Sequence, residues 1–147
     1  RSRAWVGVFA FAACATAGLA NNLIKVIAGR PRPKLFHQSE LYGLHGWGWS
    51  ADWQAMPSGH AAMIAAVATV AAILAPRHLA AYVLVASTVA VARVLSGAHW
   101  LSDVLVGLWI GVAAVTLTHY MFELAGVGPR AALAGAARWR SSPSPKP

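Results

Sequence analysis

Three cations, two imidazoles and one carboxylate stand at the ends of apolar runs in this chain: Lys25, Arg32, Arg93, His60, His99 and Asp103. Ionisable groups in such settings are costly, so function is their default reading. Guanidinium forks match phosphate oxygens two at a time. They also stabilise the charge of a phosphoryl transition state without a metal, because that catalysis is mostly positioning and electrostatics. His99 and Asp103 are four residues apart and share a face if a helix begins near His99. Asp103 would then accept the proton on one ring nitrogen and fix the tautomer. The other nitrogen keeps a free lone pair and can attack. A carboxylate at this position also suits the first turn of a helix simply as a partner for the dipole. Protonated His60 can deliver a proton to a leaving oxygen. Together these residues predict a phosphohistidine on His99 that water then hydrolyses.

The elements that must position these groups centre on Pro57-Ser58-Gly59-His60, which lies between a Trp-rich loop and an apolar run. Ser58 suits a helix N-cap, its hydroxyl accepting from a first-turn N–H. Gly59 allows a ligand close to the backbone. Free N–H groups and the helix dipole attract an anion at that mouth.

Composition sets the surroundings. The 147 residues are 58% hydrophobic and 11% charged, with a mean hydropathy of +0.55. Soluble domains carry about 25% charged residues, so the chain reads as an integral membrane protein. The net charge is +8, yet the basic residues form no stripe interleaved with aromatics, which argues against nucleic acid. An anionic lipid surface or a phosphorylated substrate fits better. Cys14 is the single cysteine and forms no intrachain disulfide. The chain begins with Arg, which suggests a fragment or a processed product, and no cleavable signal peptide is evident.

Four apolar runs follow one another: Trp5 to Ile27, His60 to Ala75, Leu79 to Leu95 and Leu101 to Leu124. None alternates with a period of two, so helix is favoured. The expected fold is all-α, a membrane-embedded helical bundle over residues 1–127. The middle two runs are short against the 17–25 residues that a bilayer needs. Gly107 and Gly111, at GxxxG spacing, suit close helix packing. Residues 29–56 form a long loop whose Trp47, Trp49 and Trp53 favour the membrane surface. Residues 128–147 form a basic tail rich in Pro, Ser and Arg.

Up-and-down threading puts Lys25, Arg30, Arg32, Lys34, Arg93 and the histidine motifs on one face. Arg1, Arg3, Arg77, Arg130, Arg138, Arg140 and Lys146 fall on the other. The positive-inside rule makes that other face cytoplasmic and puts the motifs outside.

The pattern Lys25-(six residues)-Arg32-Pro33, then Pro57-Ser58-Gly59-His60, then Arg93-(five residues)-His99-(three residues)-Asp103 resembles the three-part signature of the type 2 phosphatidic acid phosphatase family. Vanadium haloperoxidases and acid phosphatases share that superfamily. The resemblance implies that Lys25, Arg32, Arg93, the Ser58 hydroxyl and the Gly59 backbone bind phosphate. By the same resemblance His60 is the acid, His99 the nucleophile and Asp103 its partner. It further implies a lipid phosphate or pyrophosphate as substrate, membrane lipids as surroundings, no metal or other cofactor, vanadate as a phosphate-mimicking inhibitor, and a non-cytoplasmic site. Two departures stand out. Ala92 occupies the place of a usual Ser before Arg93, and only four of the family's six helices are present.

Other classes fit less well. A lipid-phosphate binder or transporter needs the cations but not the His99–Asp103 pair. A haloperoxidase would hold vanadate in the same place. A zinc hydrolase using His60, His99 and Asp103 would set a divalent metal against three neighbouring cations. A purely structural membrane protein leaves the ionisable groups unexplained. His37, His45, His78 and His119 read as surface or packing residues, Trp100 as packing or substrate contact, and Asn21 and Asn22 as polar contacts between helices.

Overall fold

The computed structural model describes residues 2–129, and its regular elements there are all helical. The helices are α1 (Ser2–Ala28), α2 (Pro33–Ser39), α3 (Gly59–Leu74), α4 (Leu79–Leu95) and α5 (Leu101–Leu124). The four long ones coincide with the four apolar runs. The short α2 lies inside the segment expected to be loop. It starts at Pro33, whose fixed φ and missing N–H suit the first helical position. The expected basic tail falls almost entirely outside the described residues, as do several cations used to assign the two faces.

α1, the segment Pro76–Leu95 and α5 are each long and apolar enough to cross a membrane. The 16 residues of α3 span about 24 Å at 1.5 Å per residue, short of the ~30 Å hydrocarbon core. α3 tolerates this because it is the inner helix of the bundle, packed against α1, α4 and α5. Its ends therefore meet protein. Many large apolar side chains on the outer helices are left exposed, such as Phe11, Leu19, Leu84, Trp109 and Leu117. Those faces suit hydrocarbon rather than water.

Small residues set the helix spacing. Phe9, Ala13 and Ala17 form one stripe on α1 and meet Ala66 and Val70 of α3 and Ala114 and Val115 of α5. Gly107 and Gly111 of α5 lie directly against α3. A Cβ at 107 would stand 2.5 Å from the Ser58 carbonyl oxygen, and one at 111 would strike that of Ala62. The GxxxG spacing thus serves an interface within the chain, where α3 offers Ala61, Ala62, Ala65 and Ala66.

The segment after α2 folds back over the end of α1. N–H groups of His45, Gly46, Trp47 and Gly48 donate to the carbonyls of Gly29, Ala28, Ile27 and Val26. A helix end leaves such carbonyls without intrahelical partners, and this strand-like run satisfies them in order. The backbones approach so closely that a Cβ at Gly29 would collide with Gly46. Trp47 and Trp49 stack on the outside, rings 6.3 Å apart and 15° from parallel, and both are exposed.

Candidate active site

At one end of the bundle a cavity of about 470 Å³ opens between the ends of α1 and α4 and the start of α3. Lys25, Arg32, Gly59, His60, Met63, Arg93 and His99 line it. The groups arrive from several elements. Lys25 lies in the last turn of α1 and Arg93 in the last turn of α4. Arg32 precedes α2, Gly59 and His60 open α3, and His99 stands two residues before α5.

The start of α3 is built as an anion site. Ser58 is its N-cap and accepts from the Ala61 N–H at 3.5 Å. The N–H groups of Gly59 and His60 have no intrahelical acceptor, and both residues line the cavity. Ser58 itself is fully buried and does not line the cavity, so its hydroxyl caps the helix from behind. The Ser58 N–H donates to the Asp103 carbonyl at 2.9 Å, which ties the starts of α3 and α5 together. On α1, Asn21 and Lys25 flank Gly59. A Cβ on that glycine would lie 3.5 Å from the Asn21 amide nitrogen and 3.8 Å from Lys25 Nζ.

The cations are held so that donors remain free. Arg32 Nε donates to the Ala51 carbonyl at 2.9 Å, which leaves its terminal nitrogens for a ligand. Arg93 Nε is buried without a protein acceptor among the described residues. His60 is exposed and has no hydrogen-bond partner among them.

His99 is buried, and its Nδ1 lies 2.7 Å from the Ala55 carbonyl oxygen. A carbonyl only accepts, so Nδ1 carries the proton and Nε2 keeps its lone pair. Burial is the main reason that the His99 pKa falls from 6.5 to about 4. Arg32, Lys25 and Arg93 lower it further, against the hydrogen bond to Ala55. The ring is therefore neutral at physiological pH.

The structure corrects one element of the sequence reading here. Asp103 does not hold His99: its Oδ2 is 3.9 Å from Nδ1, beyond hydrogen-bond range. Oδ2 accepts from the Trp100 N–H at 2.8 Å, and Oδ1 accepts from Arg30 Nη1 at 2.8 Å. The carboxylate thus serves as a helix-start group and as an ion-pair partner. The cause is the turn before α5. With Trp100 as N-cap, the carboxylate three residues on reaches back to the cap N–H sooner than to the ring of His99.

Arg30 and Ala55 are the residues that sequence reasoning missed. Arg30 is 6% exposed and donates to Asp103, to Ser102 Oγ at 2.7 Å and to the Tyr42 hydroxyl at 3.1 Å. Its guanidinium also sits over the rings of Tyr42 and Trp100. Trp100 is fixed by its indole N–H, which donates to the Pro31 carbonyl at 3.1 Å. The doubled arginine in Gly29-Arg30-Pro31-Arg32 was the available signal. Ala55 acts through its backbone and leaves no mark in residue type. Among the described residues no three His, Cys, Asp or Glu side chains are grouped to hold a metal ion.

A family model for the PAP2 superfamily matches residues 6–126. The chain belongs to the PAP2 superfamily. Two curated relatives are both named Lipid A 1-phosphatase, from Rhizobium etli and Rhizobium johnstonii. Each is 32% identical over 79 residues, which is 54% of this chain and 34% and 32% of theirs. The chain thus spans about a third of the length of the curated relatives it matches. No solved structure is a significant match. The PAP2 match covers every residue of the cavity lining, from Lys25 to His99.

Proposed function

We propose that this PAP2 chain carries the catalytic core of a membrane lipid phosphatase, acting on a lipid phosphomonoester or pyrophosphate without a metal. The observation that carries this reading is the cavity lining: three cations, two imidazoles and a helix N-terminus converge on one space. Lys25, Arg32, Arg93 and the backbone N–H groups at Gly59 hold the phosphate. His99 Nε2 attacks phosphorus and the bond to the lipid oxygen breaks. Protonated His60 gives its proton to that oxygen, and the lipid alcohol or monophosphate leaves. Neutral His60 then takes a proton from water, which attacks phosphorus and breaks the N–P bond. Inorganic phosphate departs and His99 is regenerated. The proton stays on Nδ1 throughout, hydrogen-bonded to the Ala55 carbonyl.

The names of the relatives make lipid A 1-phosphate the first substrate to test. Residues 29–56 lie at the membrane surface with Trp47 and Trp49 outward, and the site faces away from the cytoplasm. The deciding assay measures phosphate release from lipid A and from simpler lipid phosphates in detergent micelles, with excess EDTA and with His99→Ala in parallel. Release that survives EDTA and disappears in the variant is expected. Release abolished by EDTA, or kept by His99→Ala, would overturn the mechanism.

A further inference from the structure

Arg30 touches none of the cavity, yet it reaches the catalytic histidine from two sides. Its guanidinium holds Asp103 and Ser102 at the start of α5, and Asp103 in turn holds the Trp100 N–H next to His99. Its own backbone carbonyl accepts from the Ala55 N–H at 2.9 Å, and the Ala55 carbonyl accepts from the Nδ1–H of His99. One residue therefore anchors both the backbone that carries the imidazole and the peptide that orients its ring.

The site of the anchor is built for a guanidinium. Asp103 is fully buried and Arg30 nearly so. A buried carboxylate of this kind requires a close cation and further donors. The fork spans Asp103, Ser102 and Tyr42 at once while its face lies on Tyr42 and Trp100. A lysine ammonium is a point charge with no planar face and cannot reproduce that set.

We infer that Arg30 is the positioning residue of His99, its side chain setting the attack line of Nε2 through Asp103 and its backbone carbonyl holding the Ala55 peptide. The inference rests on His99 as the nucleophile. Groups that orient metal-ligating histidines change activity about 10–100-fold when removed, and a group that orients an attacking histidine should act on the same scale. Arg30→Met and Arg30→Lys should therefore lower kcat on a short-chain, soluble phosphate ester within that range. KM and inhibition by vanadate should stay within about twofold, because the cavity cations remain.

Two readouts separate positioning from general damage. Vanadate inhibition reports whether the phosphate site is still assembled. The 15N and proton signals of the His99 Nδ1–H, assigned by their loss in His99→Ala, report the hydrogen bond to Ala55. The parent should show a downfield, exchange-protected Nδ1 proton. Arg30→Met keeps the backbone bond to Ala55 but loses the Asp103 arm and should weaken it, with Arg30→Lys between the two. Arg30 variants that keep kcat and the Nδ1 signal would overturn the inference. So would variants in which vanadate sensitivity falls in step with kcat, since Arg30 would then support the phosphate site as a whole. A parent with no phosphatase activity would count against the proposed function alone. The histidine signals and vanadate binding would still decide the role of Arg30.

Discussion

The Ala55 carbonyl oxygen lies 2.7 Å from His99 Nδ1, whereas the nearest Asp103 oxygen is 3.9 Å away. The tautomer of the candidate nucleophile is therefore set by a backbone carbonyl, and the carboxylate four residues on has a different task.

This relationship predicts the titration of His99. Its folded pKa is near 4 against an ordinary 6.5, mainly through burial. Above pH 6.5 the ring is neutral in both folded and unfolded chains. Between about 6.5 and 4 only the unfolded chain binds the proton, so this group lowers stability as the pH falls through that window. Histidine 15N spectra of the detergent-solubilised protein should show the Nδ1–H tautomer at neutral pH and a midpoint near 4. A midpoint near 6.5 would contradict the assignment.

Asp103→Asn should act through Arg30 and Trp100. An amide offers one acceptor oxygen where two donors now end on a carboxylate, and Arg30 would keep a buried, unpaired charge. Breaking a buried pair in this way costs about 3–5 kcal/mol. Thermal unfolding in detergent should show that loss, and the Nδ1 signal of His99 should weaken as in Arg30→Met, because the same link to the Trp100 N–H is broken. A folded Asp103→Asn protein with unchanged melting temperature and unchanged Nδ1 signal would contradict this link.

Gly107 and Gly111 should separate site from scaffold. A methyl at 107 would press on Ser58 and Ala61 at the start of α3. Overpacking of this kind costs about 1–3 kcal/mol. Gly107→Ala should lose stability and also phosphate affinity, because Gly59 follows the displaced residue. Gly111→Ala presses on Ala62 and Ala65 one turn further from the cavity. It should lose stability while the folded fraction keeps its turnover. Equal effects on phosphate affinity would show that the start of α3 does not set the anion site.

Lys25→Ala should weaken phosphate and vanadate binding by about tenfold or more, the usual effect of losing a hydrogen bond from a charged group. Lys25 lines the cavity beside Gly59. Competition assays with inorganic phosphate and vanadate test this directly. Unchanged inhibition constants would remove Lys25 from the phosphate site.

The sequence alone determined the four long helices, because runs of Ala, Val and Leu with no two-residue alternation have one good solution in a membrane. It also marked the groups that reach the cavity. Lys25, Arg32, His60, Arg93 and His99 are legible because a charge or an imidazole at the end of an apolar run is costly and must have a use, and Gly59 because a glycine at a helix start lets a ligand approach the backbone. The tertiary structure decided how those groups are held. Which acceptor meets His99 Nδ1 depends on the path of residues 54–56 past the start of α5, and a backbone carbonyl is the same in every residue type. Which of two nearby arginines faces the cavity and which is buried under Asp103 depends on the turn at Gly29 and the stacking of Tyr42 and Trp100. Those are relations between segments up to 73 positions apart. Local spacing names the chemical groups; only the packed bundle fixes their partners.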